Sequence, residues 1–197
     1  MPASMNLRSL HWWYKYILCA LVLCGIFSCD SNSNPVDPNS KPPPKIGSRV
    51  NLTLVAFNYT DKYIDSYEVE EAGGGNVFVS DEFNGGSKAT CCATYIAGLK
   101  KMTVKIRWQS AACTYNEYVD SAGVRHHDIY SFFKQAQVTV DPNIPQRPRY
   151  FETHFYPDGH VEAAITEEIS DSRIKLSTSR EDKSDYPRCP NDQKPSE

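Results

Sequence analysis

No unbroken apolar run in the 197-residue chain reaches the roughly 20 residues a spanning helix needs. Charge of one sign is also missing: the net formal charge is -3, which gives no electrostatic footprint for nucleic acid. There is no Cys-x-x-Cys spacing to hold a metal, and the Cys-x-x-x-x-Cys spacings, Cys19 to Cys24 and Cys24 to Cys29, fall in the N-terminal apolar stretch and its end. Gly-x-Ser-x-Gly, His-Glu-x-x-His and a phosphate-cradling glycine loop ahead of a helix are all absent. These gaps leave no catalytic, cofactor-binding or metal signature, and the sequence is read as non-enzymatic. Helical periodicity is scarce as well, confined to Ile129–Gln135.

What is present begins with an address. Arg8, His11 and Lys15 precede an apolar stretch of about a dozen residues, Ile17 to Ser28, the length of a signal peptide. It ends Ile26-Phe27-Ser28-Cys29, which looks like a bacterial lipobox and predicts a signal segment over 1–28 with lipid on Cys29. Asp30 resembles the inner-membrane retention signal of enteric lipoproteins, while other bacteria read other positions. Inner and outer membranes both stay open. Residues 29–45, with Pro35, Pro38, Pro42, Pro43 and Pro44, read as an extended tether at about 3.1 Å per residue.

Cysteine usage agrees with that compartment. Of seven cysteines, cleavage before Cys29 removes Cys19 and Cys24, spends Cys29 on lipid and leaves four: Cys91, Cys92, Cys113 and Cys189. An even set in an oxidising space reads as disulfides. A trans peptide holds adjacent Cα atoms about 3.8 Å apart, shorter than an ordinary disulfide span. Cys91 and Cys92 are therefore expected to face opposite ways and pair with the distant Cys113 and Cys189.

From residue 46 the pattern has period two. Val50, Leu52, Leu54 and Ala56 point one way with Asn51 and Thr53 the other. Met102, Val104, Ile106 and Trp108 alternate with polar residues, as do Ala136, Val138 and Val140, and Val161, Ala163 and Ile165 alternate with Glu162, Ala164 and Thr166. Weaker strands are expected at Tyr63–Glu70, Val77–Ser80, Thr90–Tyr95 and Cys113–Val119. Pro157-Asp158-Gly159 suits a tight hairpin turn. Many short strands between turn signals predict an all-β domain over 46–175, an antiparallel sandwich or small open barrel stabilised by disulfides. Past Ile174 the chain turns polar, and 176–197 is expected to fray except where Cys189 holds it.

Gly73-Gly74-Gly75 and Gly85-Gly86 read as turns and places of close backbone approach. Between them, Phe78, Asp81, Glu82 and Phe83 place aromatic rings beside carboxylates on an expected protruding hairpin, a combination suited to a small protein interface. His126, His127, His154 and His160 are expected at the surface or in hydrogen bonds; His154 and His160 share a face only if their hairpin loop has three residues.

Four segments taken in order carry a resemblance: Asn58-Tyr59-Thr60-Asp61-Lys62-Tyr63-Ile64, Gly85-Gly86 ahead of Cys91-Cys92, Val104-Lys105-Ile106-Arg107-Trp108, and His154-Phe155-Tyr156-Pro157-Asp158-Gly159-His160-Val161. Together they resemble a family of small proteobacterial lipoproteins, domain of unknown function 3304. Its members are often encoded beside phospholipase effectors of type VI secretion systems and look like the Tli type of immunity protein. The resemblance implies a periplasm-facing lipoprotein that binds a cognate secreted phospholipase and silences it sterically, with no cofactor and no catalytic residues. The residues also admit an accessory or structural envelope lipoprotein without a toxin partner.

Overall fold

Alternating side chains pay off only when two sheets face each other, and that is the arrangement the chain adopts. The computed structural model describes residues 41–82, 85–177, 180, 182–183 and 185–196. The signal segment, Cys29, the tether before 41 and Phe83 lie outside the described residues. The strands are β1 (Arg49–Asn58), β2 (Ile64–Val69), β3 (Ala72–Val77), β4 (Thr90–Ile96), β5 (Thr103–Val119), β6 (Arg125–Thr139), β7 (Tyr150–Phe155) and β8 (Val161–Thr166). They form two four-stranded sheets, ordered β4-β1-β7-β8 and β3-β2-β5-β6. Every pairing is antiparallel except β1 with β7. The protein is an all-β sandwich, as its sequence predicts.

The inward rows of the two sheets make the core. Leu52, Leu54 and Ala56 of β1 and Phe151 and Phe155 of β7 meet Val104, Ile106 and Trp108 of β5 and Tyr67 and Val69 of β2. Fully burying a side chain of this kind stabilises by roughly 1.5–3 kcal/mol relative to exposure. The Phe155 ring lies 5.6 Å from Tyr67 and 5.8 Å from Trp108, centroid to centroid, joining the sheets at one end.

Several expectations are overturned. Ile129–Gln135 is strand, not helix: it pairs residue by residue with β5, and a short apolar cluster such as Ile129 to Phe133 carries no period of its own. Gly73, Gly74 and Gly75 lie within β3; the turn before them uses Glu70, whose φ is 56°. A Cβ on Gly74 would fall inside the Tyr67 ring, so the close approach is real and the turn is elsewhere. No strand spans Val77–Ser80, because β3 ends at Val77 and only a bridge to Ser87 continues the pairing. The strand expected over Cys113–Val119 is present, as the second half of β5, which runs on through bulges near Ser110 and Asn116.

Cys91 is joined to Cys92, and Cys113 to Cys189. The expected long-range pairing of the adjacent cysteines does not form, because the β1–β4 register slips so that Cys92 has no partner on β1. Strict alternation of faces does not hold at such a bulge.

The described residues of the polar C-terminal segment are docked rather than frayed. They run over the outer face of the first sheet at Ser170 and Arg173, past the β1–β2 turn at Arg180 and Lys183, and beside β5 at Arg188 and Cys189. Sequence reasoning missed this because what holds the segment lies far away in the chain: the Glu152 carboxylate, the Tyr59 hydroxyl and the backbone carbonyls that Arg180 reaches.

Candidate binding surface

The β1–β2 turn is built by one side chain. Asn58, fully buried, donates from Nδ2 to the Lys62 carbonyl at 2.7 Å, while its Oδ1 accepts from the Thr60 N–H at 3.1 Å and the Thr60 hydroxyl at 2.7 Å. This is the local bonding by which Asn fixes a turn. The closed turn aims carbonyls outward, and Arg180 collects them. Its guanidinium donates to Ser80 O at 2.7 Å and to Tyr59 O and Thr60 O at 2.9 Å each.

Next to the turn, a polar chain is buried on the outward face of β7. Glu152 and His154 have no solvent exposure. The Tyr59 hydroxyl accepts the Arg173 backbone N–H at 3.0 Å and meets His154 Nδ1 at 2.9 Å. His154 stacks on Phe57 with centroids 4.7 Å apart, and its Nε2 lies 3.5 Å from Glu152 Oε2. Glu152 Oε1 accepts from the Ser170 N–H at 2.7 Å and the Thr166 hydroxyl at 3.0 Å. Burial pushes the His154 pKa down, against the pull of Glu152. Burial works to raise the Glu152 pKa, but the nearby His154 imidazole and hydrogen bonds from Ser170 and Thr166 outweigh it and hold the carboxyl below its usual value. A neutral imidazole therefore accepts from Tyr59 and turns its N–H toward an anionic Glu152. Sealed from solvent, the trio clasps the C-terminal strap onto the sheet.

The neighbouring hairpin reaches the surface. Its loop is Pro157-Asp158-Gly159, with Tyr156 and His160 flanking it and stacked at 4.1 Å. The three-residue loop puts His154 and His160 on one face, with Glu162 opposite His154. Tyr156 donates to Glu162 at 2.9 Å, and burial followed by that carboxylate pushes its pKa up to about 12. Arg173 also binds Glu162, whose carboxyl stays below its usual pKa because bonds from Tyr156 and Arg173 outweigh its desolvation. His126, in contrast, pairs with Asp120 at 2.7 Å on the far hairpin.

The turn and the hairpin form two walls of a cleft of about 300 Å³. Thr60 to Ile64 line one side and Phe155 to Pro157 with Gly159 to Val161 the other, with Trp108 and Gln109 of β5 between them. Three of the four segments singled out in the sequence thus meet at one place, although they are separated by dozens of residues. Tyr63, on the rim, accepts a bond from Asn76 at 2.7 Å and packs its ring 5.2 Å from that of Phe78.

Of the residues expected to meet a partner, Phe78 is 54% exposed and continuous with the cleft through Tyr63. Asp81 is half-buried and Glu82 exposed on the same loop, and Phe83 is outside the described residues. Gly85, from the remaining segment, lies against the Phe57 ring, while Cys91 and Cys92 sit on the edge strand β4. The sequence profile of the family described as "Protein of unknown function (DUF3304)" matches residues 57–163. The chain belongs to the DUF3304 family. No curated protein and no solved structure matches it significantly. The DUF3304 match starts at Phe57 and ends at Ala163, so it takes in both walls of the cleft and its Trp108 floor. It stops before Arg173 and Arg180, the strap residues that close the turn from outside.

Proposed function

We propose that the protein is a lipid-anchored, periplasm-facing binding protein that neutralises a cognate type VI secretion phospholipase by steric blockade. The lipobox-like Ile26-Phe27-Ser28-Cys29 supports the anchor, and the resemblance set out above supports the class of partner. The observation that carries the reading is the convergence of three family-bearing segments on one aromatic-floored cleft. A cleft of this size suits a few side chains from a protruding loop better than a whole lipid. Trp108, Tyr63 and Tyr156 supply apolar bodies with polar tips, and exposed Phe78 widens the contact beyond the rim. Lys62, with no ion pair among the described residues, offers a charge to a carboxylate on the incoming loop. Binding there blocks the enzyme's approach to lipid and needs no chemistry from this chain.

The test is to co-express the full chain with the phospholipase encoded beside it. Co-purification as a one-to-one complex and loss of phospholipase activity are expected. A double change, Lys62→Glu with Phe78→Ala, is expected to weaken the complex at least tenfold, since hot-spot truncations typically cost 2 kcal/mol or more. Full lipase activity in the one-to-one mixture overturns the reading.

A further inference from the structure

β6 is an edge strand of unusual length. It spans 15 residues and, among the described residues, has β5 as its only neighbour in its sheet; the bridge from Val140 to Ala163 forms only after it ends. Its outer backbone row is open among the described residues from Arg125 to Gln137. Edges of this kind are normally shortened, covered or charged, because they template pairing with another chain. Here Ile129, Phe132 and Phe133 are 51%, 40% and 39% exposed on it. Tyr130 and Phe132 stand on one face, their rings 5.1 Å apart. Ile129 and Phe133 alternate to the other, where Arg107 lies 3.7 Å above the Phe133 ring.

The order of side chains identifies the occupant. We propose that β6 pairs antiparallel with β6 of a second copy of this chain, about a two-fold axis through Ser131. That register sets Tyr130 against Phe132, Ile129 against Phe133, and Asp128 against Lys134, each twice by symmetry. Directly opposed side chains in an antiparallel pair share a face at about 4.5–5.5 Å. Aromatic therefore meets aromatic, aliphatic meets aromatic, and acid meets base. Farther out, His127 meets Gln135 and Arg125 meets Gln137, so no like charges oppose.

Sliding two residues one way puts His126 against Lys134; sliding the other way puts Tyr130 against Lys134 and leaves Asp128 facing Ala136. Only the Ser131-centred arrangement of the three satisfies both charge and apolarity. Lys134 has no ion-pair partner among the described residues, and Asp128 spends only Oδ2 on Asn116, at 2.9 Å. The contact is isologous and closes on itself, and it joins two copies of the β3-β2-β5-β6 sheet into one. Lys134 also borders the end cleft, so the second copy sits beside that cleft.

The test uses full-length protein expressed without any phospholipase, mildly oxidised with copper–phenanthroline and alkylated before non-reducing electrophoresis. The two-fold brings Cα131 to its own copy within the span of a disulfide. Ser131→Cys is therefore expected to give a thiol-sensitive band at twice the chain mass. Gln137→Cys, which the register holds roughly 40 Å from its copy, is expected to give none. In the Ser131→Cys background, Lys134→Asp is expected to abolish the band and adding Asp128→Lys to restore it. The restored variant keeps the test decisive if the single reversal fails to fold. The proposal is overturned by absence of the doubled band, by equal bands from both cysteines, or by a band indifferent to charge reversal. A thiol-sensitive adduct at another mass assigns the edge to a different protein and overturns it too.

Discussion

Arg180 is the residue on which the strap turns. Its guanidinium serves three close backbone carbonyls at once, and a carbonyl stripped of a charged donor costs about 1–3 kcal/mol when it cannot reach water. Arg180→Ala is expected to lower unfolding stability by about 2 kcal/mol in urea titration and to raise amide exchange between Ser170 and Lys183. Arg180→Lys, lacking the planar fork, is expected to recover less than half. His154 makes a second prediction, through pH. Its folded pKa lies below the ordinary histidine value of about 6.5 because it is buried, so the unfolded chain takes up the proton first as pH falls. Stability is therefore full above about pH 7 and declines as pH drops through 6.5 toward the depressed folded value. Glu152, also depressed, adds a loss of the same sign at lower pH, below the ordinary carboxyl range. The urea midpoint should fall between pH 7.5 and pH 5.5, and His154→Gln should start lower and fall less; equal slopes for the two proteins would remove His154 as the cause.

At the scale of strands, what could be read from sequence was whatever had a local cause. The first half of β5 declares itself by strict alternation, β1 and β8 by a partial one, and the β7–β8 turn by Pro157-Asp158-Gly159. β3 could not be read, because Gly73-Gly74-Gly75 have no side chains to alternate. Their strand exists because the Tyr67 ring occupies the space a Cβ at Gly74 would fill. A paired substitution tests this. Gly74→Ala is expected to cost about 1–3 kcal/mol through overpacking, whereas Gly73→Ala, whose Cβ would meet nothing within 4 Å, should change the urea midpoint little. β6 was misread at Ile129–Gln135 for a related reason: its period is set by β5 across the ladder. The cleft was legible only as fragments. Asn58 to Ile64 and His154 to Val161 could each be noticed, but their meeting over Trp108 depends on the parallel β1–β7 pairing, which no short window of sequence encodes.

The whole molecule is closed by a covalent link that the strands alone do not require. Cys113 and Cys189 are 76 positions apart, and both are almost fully buried. Around them the Cys189 N–H donates to Thr114 O and the Thr114 N–H to Pro187 O, at 2.8 and 2.9 Å. Arg188 reaches Glu117 beyond the bridge. The described residues between Ser170 and Cys189 thus form a belt from the outer face of one sheet to the exposed side of β5 in the other. A bridge closing a loop of that length removes enough freedom from the unfolded chain to stabilise the fold by about 4 kcal/mol. Cys91–Cys92, at separation 1, closes no loop and contributes almost nothing by that route. Cys113→Ser with Cys189→Ser should therefore lower the thermal midpoint by at least 10 °C in a chain of this size. It should also release the belt, seen as faster proteolysis after Ile174. Cys91→Ser with Cys92→Ser should leave both readouts near those of the parent protein. No loss from removing Cys113 and Cys189 would mean that the belt is held by its hydrogen bonds and by Arg180, with the long-range bridge idle.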